Sequence, residues 1–246
     1  RPIVPLIAET GGLNAMIVDS TALPEQVVMD VIASAFLSAG QRCSALRLLL
    51  VQEDVYDRTL HMLAGAMDTM IAGDPVDPAT DIGPVIDTDA QTKLNDYLQR
   101  VRERIVHQID VPDTDTFVPP SIVRLSEIED LEQEWFGPIL HVTTWRQGQL
   151  AETVRRVNAL GFGLTMGVHS RIVDAADQVA NEARVGNLYV NRSMTGAIVA
   201  SQPFGGERLS GTGPKAGGPN YLPRFAVERV VTVDTTSAGG NASLLS

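Results

Sequence analysis

The chain has 246 residues, 44% of them hydrophobic and 20% charged, which is the composition of a folded protein with a sizeable core. A net charge of −11 argues against duplex nucleic acid or anionic lipid as the main partner. The single cysteine, Cys43, excludes an internal disulfide and a thiolate-rich zinc site.

Leu6–Ala8 and Ala15–Val18 read as strands on either side of Gly11-Gly12. Ala22–Ala39 follows as a helix, with Val27, Val28, Val31, Ile32, Ala35 and Phe36 forming its apolar stripe and Pro24 tolerated in its first turn. Leu46–Val51 is a continuous apolar run, the pattern of a strand buried on both faces. A helix over about Glu53–Ala72 stops at Gly73-Asp74-Pro75. Thr88-Asp89-Ala90-Gln91 fits a capping box, opening a helix whose face carries Leu94, Tyr97, Leu98, Val101 and Ile105.

Strands are predicted at Ile122-Val123, Ile139–Val142, Gly167–His169 and Leu188–Val190, with helices at about Gln149–Asn158 and Val173–Glu182. The alternation predicts an α/β fold: a mainly parallel open sheet flanked by helices. Periodicity vanishes from Asn191 to Phe225, a glycine- and proline-rich stretch too long to be a passive connection. Arg229–Val233 regains strand character before a small, polar tail from Ser237.

No run approaches the ~18 apolar residues of a membrane span, and Arg1-Pro2-Ile3-Val4-Pro5 lacks a signal-peptide layout. Without an initiator Met the chain reads as part of a longer one, expected in the cytoplasm, the inner-membrane surface being the alternative for a longer parent. His61, His107, His141 and His169 are scattered with no i, i+4 pair, so no metal site is expected.

Three residues are candidates for chemistry. Cys43, in Gly40-Gln41-Arg42-Cys43-Ser44, is either a small core hydrophobe or a nucleophile. Arg42 beside it could favour the thiolate. Glu9, before Gly11-Gly12, would lie at the end of an apolar strand, where open α/β sheets place active sites, and burial there would suit it to general-base work. Glu134, in Glu134-Trp135-Phe136-Gly137-Pro138, is the weakest alone. Gly211-Thr212-Gly213-Pro214-Lys215-Ala216 matches a dinucleotide fingerprint in letters only, since no strand precedes it and Gly217-Gly218-Pro219 blocks the helix.

In combination these segments resemble the aldehyde dehydrogenase superfamily. Four motifs occur in order: Glu9-Thr10-Gly11-Gly12, Gly40-Gln41-Arg42-Cys43, Glu134-Trp135-Phe136-Gly137-Pro138, and Pro203-Phe204-Gly205-Gly206 with Ser210-Gly211. The 34 positions from Glu9 to Cys43 agree with the family's spacing of base and nucleophile. Ser44, Thr195-Gly196-Ala197 and the run Gly213-Pro214-Lys215-Ala216-Gly217-Gly218-Pro219 narrow the resemblance to the glutamate-γ-semialdehyde (pyrroline-5-carboxylate) dehydrogenases. The last of these runs and the ending Thr235–Ser243 look like the domain that bacterial bifunctional proline utilization A proteins fuse to a flavin-dependent proline dehydrogenase.

The resemblance implies Cys43 as nucleophile, Glu9 as base, and an oxyanion held by the Cys43 N–H with a side-chain amide. It implies Ser44, Gly196 and Ala197 as carboxylate anchors and Phe204 as an aromatic wall for an amino-acid aldehyde. NAD would meet Glu134, Phe136, Thr10 and Gly11, with FAD confined to a proline dehydrogenase domain of the parent. Residues 1–225 would form the catalytic domain and 226–246 a C-terminal strand and tail of the kind that supports homo-oligomers. The family's amino-terminal half, with most of the dinucleotide fold, would precede Arg1, so no NAD-dependent turnover is expected of the chain alone. A non-catalytic assembly domain and a cysteine hydrolase are the competing readings.

Overall fold

The apolar runs pair into one parallel sheet. In the computed structural model, which describes residues 3–234, β1 (Ala15–Val18) and β2 (Leu48–Gln52) are buried at every position. Sheet neighbours bracket both, so helices cover their two faces and no polar alternation is needed. Between them runs α1 (Pro24–Ala35), which buries Val27, Val28, Val31 and Ala35 and carries Pro24 in its first turn. α1 ends four residues before the predicted Ala39, in a tight turn over Leu37–Gly40. There Ser38 (φ 57°), Ala39 (φ 53°) and Gly40 (φ 64°) are all left-handed, a costly conformation for the two non-glycine residues.

α2 (Tyr56–Met67) is shorter than the predicted Glu53–Ala72. α3 (Thr88–Arg100) is capped by Asp87, whose side chain accepts from the Ala90 N–H at 2.8 Å, rather than by a box at Thr88. Its buried face is Leu94, Tyr97 and Leu98, while Ile105 opens β3 (Ile105–Gln108) instead of extending the helix. Then come β4 (Ser121–Arg124), β5 (Ile139–Trp145), α4 (Leu150–Ala159), β6 (Phe162–Gly163), β7 (Thr165–His169), α5 (Val173–Glu182), β8 (Asn187–Val190) and β9 (Glu207–Arg208).

The main sheet runs β3-β4-β5-β2-β1-β7-β8, parallel throughout except for edge strand β3. Right-handed crossovers put α1 and α2 on one face and α4 and α5 on the other, and the two helices of each pair pack against each other. A two-stranded sheet, β6 with β9, pins the glycine-rich stretch to the body.

Two predicted strands do not form. Leu6–Ala8 belongs to an irregular ladder in which Thr10 N–H donates to Ser210 O (3.0 Å) and Thr212 N–H to Ala8 O (3.1 Å). Arg229–Val233, the expected C-terminal strand, is exposed and pairs with no strand among the described residues, and a strand needs such a neighbour to form. Thr235 and the tail lie outside the described residues. Among the described residues no helix is long and apolar enough to cross a membrane.

Candidate active site

Three short segments meet at one end of the sheet's central strands. Glu9–Gly12 precedes β1, Gly40–Ser44 precedes β2, and Glu134–Gly137 precedes β5. All three lie at the amino ends of parallel strands, opposite to the carboxyl-end placement expected for Glu9. The reason is that Leu6–Ala8 is no strand, so Glu9 leads into the sheet rather than out of it.

Cys43 is exposed, and the left-handed turn before it sets its direction. A side chain at Gly40 would run into Gly137 and Ala35 backbone, so the nucleophile loop and the Glu134 segment close tightly on each other. Asn14, 1% exposed, fixes the loop from below: its Nδ2 donates to Cys43 O (2.7 Å) and Ala45 O (2.8 Å), and its Oδ1 accepts from Thr165 N–H (3.2 Å). Burial pushes the Cys43 thiol up; the Ser44 and Cys43 amides pull it down, and Glu134 and Glu9 add to the upward push. Arg42 donates to Ser38 Oγ (3.0 Å), and the groups acting on the thiol do not include it. Ser44 is buried just inside the loop.

Glu134 is held by a cation that sequence reading missed. Arg47, fully buried, donates from Nη2 to Glu134 Oε1 (3.3 Å) and to Arg42 O (3.3 Å), and from Nη1 to Gly137 O (3.1 Å). Its Nε has no partner, and its guanidinium lies 5.3 Å from the centre of the Phe136 ring. Glu134 also accepts from Gly12 N–H (3.3 Å). Burial raises its carboxyl pKa, with Arg47 and the Gly12 amide opposing. Gly11 (φ 114°) presses its backbone against this carboxylate, leaving no room for a Cβ. Phe136 is 42% exposed beside it.

Glu9 is exposed rather than buried. Its carboxylate rests in a glycine cradle, accepting from Gly206 N–H at 3.0 and 3.3 Å. A Cβ on Gly211 would stand 2.6 Å, and one on Gly205 3.1 Å, from Glu9 Oε1. Thr10 turns away, its hydroxyl donating to Leu209 O (2.5 Å). The cradle is pinned by Lys215, whose Nζ donates to Gly186 O, to Asn187 Oδ1 (3.1 Å) and to Gly205 O (3.1 Å). Phe204, half-buried, is tied to Ala216 by two backbone hydrogen bonds of 3.0 and 2.7 Å.

Gly196 reaches the same end by a return path. After β8 the chain turns at Asn191 (φ 52°), and α1 guides it back: Gln26 Nε2 donates to Asn191 O (2.6 Å), and Met194 N–H donates to Ser34 Oγ (2.9 Å). A Cβ on Gly167 would stand 3.1 Å from Met194, so that glycine keeps the return path flat on β7. Gly196 (φ 123°) and Ala197 then lie exposed, with the Tyr189 hydroxyl donating to Gly196 O at 3.5 Å. The structure thus gathers Glu9, Gly11, Cys43, Ser44, Glu134 and Phe136 around one rim, with Gly196, Ala197 and Phe204 on the glycine-rich loops and Thr10 facing away.

The aldehyde dehydrogenase family model matches residues 1–231. The chain belongs to this family. Among curated relatives, the bifunctional protein PutA of Salmonella typhimurium is 55% identical over 239 residues, 93% of this chain and 18% of that protein. A 1-pyrroline-5-carboxylate dehydrogenase of Geobacillus thermodenitrificans is 37% identical over 224 residues, covering 88% of this chain and 43% of that protein. A crystal structure of bifunctional proline utilization A superposes with a TM-score of 0.93 at 55% identity, over 97% of this chain and 24% of that one. A Thermus 1-pyrroline-5-carboxylate dehydrogenase solved with bound NAD gives 0.83 at 33% identity, over 89% of this chain and 43% of that one. The chain therefore spans about a fifth of the length of the PutA relatives it matches.

Proposed function

We propose that the protein containing this chain oxidises glutamate-γ-semialdehyde to glutamate with NAD, by way of a thioester on Cys43. The observation that carries this reading is a surface thiol flanked by two carboxylates of different setting. Glu9 is loosely cradled by glycine, whereas Glu134 is clamped by a buried arginine.

Cys43 Sγ, its proton released to solvent, adds to the aldehyde carbon. The resulting alkoxide takes the Cys43 N–H and a second amide donor from outside this rim, since both Asn14 amide hydrogens are spent on Cys43 O and Ala45 O. Glu134, Phe136 and Gly11 fit the nicotinamide-ribose end of NAD: a carboxylate acceptor beside backbone that approaches without a Cβ. Bound NAD supplies the hydride acceptor. Loss of hydride from the Cys43 thiohemiacetal leaves a thioester, and Glu9, leaving its cradle, takes the proton from the water that hydrolyses it. Ser44 and the Gly196 and Ala197 amides hold the substrate carboxylate, and Phe204 flanks its methylenes.

Residues 1–225 form the catalytic body in this account, and 226–246 pair with another subunit in a homo-oligomer. Arg229–Val233, exposed and part of no strand among the described residues, favours a partner outside the chain. The 246 residues alone turn over no aldehyde with NAD, because the contacts assigned here reach only one end of the dinucleotide. Steady-state NADH formation by the full-length protein tests the assignment. The semialdehyde is expected to be a far better substrate than propanal, and equal rates with the two would contradict the amino-acid-aldehyde reading.

A further inference from the structure

The glycine-rich edge carries a cation that the chemistry above leaves unused. Arg192 is exposed one residue after the Asn191 turn. Its guanidinium lies 5.3 Å from the centre of the Tyr189 ring. A Cβ built on Gly196 would stand 3.5 Å from Arg192 Nη2. Gln202 bridges the two residues: with its carboxamide oriented to satisfy both neighbours, it donates to Gly196 O (3.1 Å) and accepts from Arg192 Nη1 (3.2 Å). The guanidinium is thus fixed against the loop that presents the Gly196 and Ala197 amides.

Among the described residues no carboxylate pairs with it by direct contact. Asp30 on α1 feels its charge, but the Asp30 carboxylate faces His169, whose Nε2 is 3.5 Å away. Of the other cations here, Arg47 is committed to Glu134 and Lys215 to the carbonyls around Gly205, and Arg42 donates to Ser38 Oγ ahead of the nucleophile. Tyr189 links the guanidinium to the same loop, its ring lying under Arg192 and its hydroxyl donating to Gly196 O (3.5 Å). Glu9 and Glu134, meanwhile, present negative charge to anything that approaches Cys43.

We propose that Arg192 is a specificity-determining residue, supplying the cationic half of a carboxylate subsite whose other half is the Gly196–Ala197 backbone. A planar guanidinium beside backbone N–H groups suits a carboxylate better than either alone. It also offsets the repulsion from Glu9 and Glu134. The inference rests on the substrate class proposed above and deepens it, selecting aldehydes with a distal carboxylate over neutral ones.

The test compares wild type, Arg192→Lys and Arg192→Met in the full-length enzyme, with glutamate-γ-semialdehyde and propanal as substrates. Arg192→Met is expected to raise KM for the semialdehyde about ten- to a hundredfold, the loss of one charge-assisted contact. kcat/KM for propanal should stay level, with Arg192→Lys intermediate for the semialdehyde. A parallel fall with both substrates would overturn the proposal and leave Arg192 a support for the loop, and so would no change with either. Wild-type enzyme without preference for the semialdehyde would defeat the substrate assignment itself, and the subsite with it. The variant outcomes alone leave that assignment standing.

Discussion

At the scale of single residues, the state of Cys43 follows from its surroundings. Burial, Glu134 and Glu9 all disfavour the thiolate, and the Ser44 and Cys43 amides favour it. The Arg47 charge, which interacts with Cys43, works in the same favourable sense. Alkylation by iodoacetamide at neutral pH should therefore be slower than for a free thiol, and should rise as pH increases. Glu134→Gln removes one of the opposing charges and leaves Arg47 without its anion, so both effects speed the reaction; a slower reaction in that variant would refute this electrostatic account. Cys43, Glu9 and Glu134, which the fold brings to one rim, each sit in a short run of distinctive residues and stand out in the sequence. Arg47 and Asn14 were not, because neither has a local signal. Arg47 lies in the strand-like run Leu46–Val51 and acquires its role only when Glu134 folds against it from 87 residues away. Arg42, adjacent in sequence, was the wrong arginine to connect with the thiol.

At the scale of elements, helices with a clean apolar stripe were read well. Val173–Glu182 matches α5 as predicted. Helix α1 starts two residues late, at Pro24, and ends four early, where three left-handed residues redirect the chain toward Cys43. Period alone does not reveal such a turn, since Ser38 and Ala39 are not residues that announce positive φ. Strand β5 carries a second consequence. His141 is buried there with Tyr97 Oη at 2.8 Å from Nε2 and Arg47 O at 3.0 Å from Nδ1. Burial lowers its pKa from 6.5 to about 4. A base with a depressed folded-state pKa contributes stability that is complete above pH 6.5 and is lost as pH falls toward 4, on the order of 3 kcal/mol. Urea unfolding from pH 7 to 4 should show that decline, and His141→Gln should flatten it. An unchanged slope in the variant would assign the acid sensitivity to other groups.

At the scale of the whole molecule, the alternation of strands and helices specified a parallel sheet but not which end of its strands bears the site. That depends on whether Glu9 follows or precedes a strand, and only the pairing of Ala8–Thr10 with Ser210–Thr212 settles it. The glycine-rich stretch, blank to periodicity, proves to be ordered by tertiary contacts: β9 on β6, Phe204 on Ala216, and the Lys215 clamp. Its glycines serve as close-approach surfaces for Glu9 and for the backbone at Gly186, a use of glycine visible in composition but not in position. The central claim, a covalent intermediate on Cys43 resolved by Glu9, is tested most directly in a Glu9→Gln variant of the full-length protein. Mixed with glutamate-γ-semialdehyde and NAD, it should release about one equivalent of NADH and accumulate a glutamyl thioester, located on the Cys43 peptide by mass spectrometry. Rapid NADH formation with Cys43 unmodified, or an acyl group on any other residue, would contradict the account.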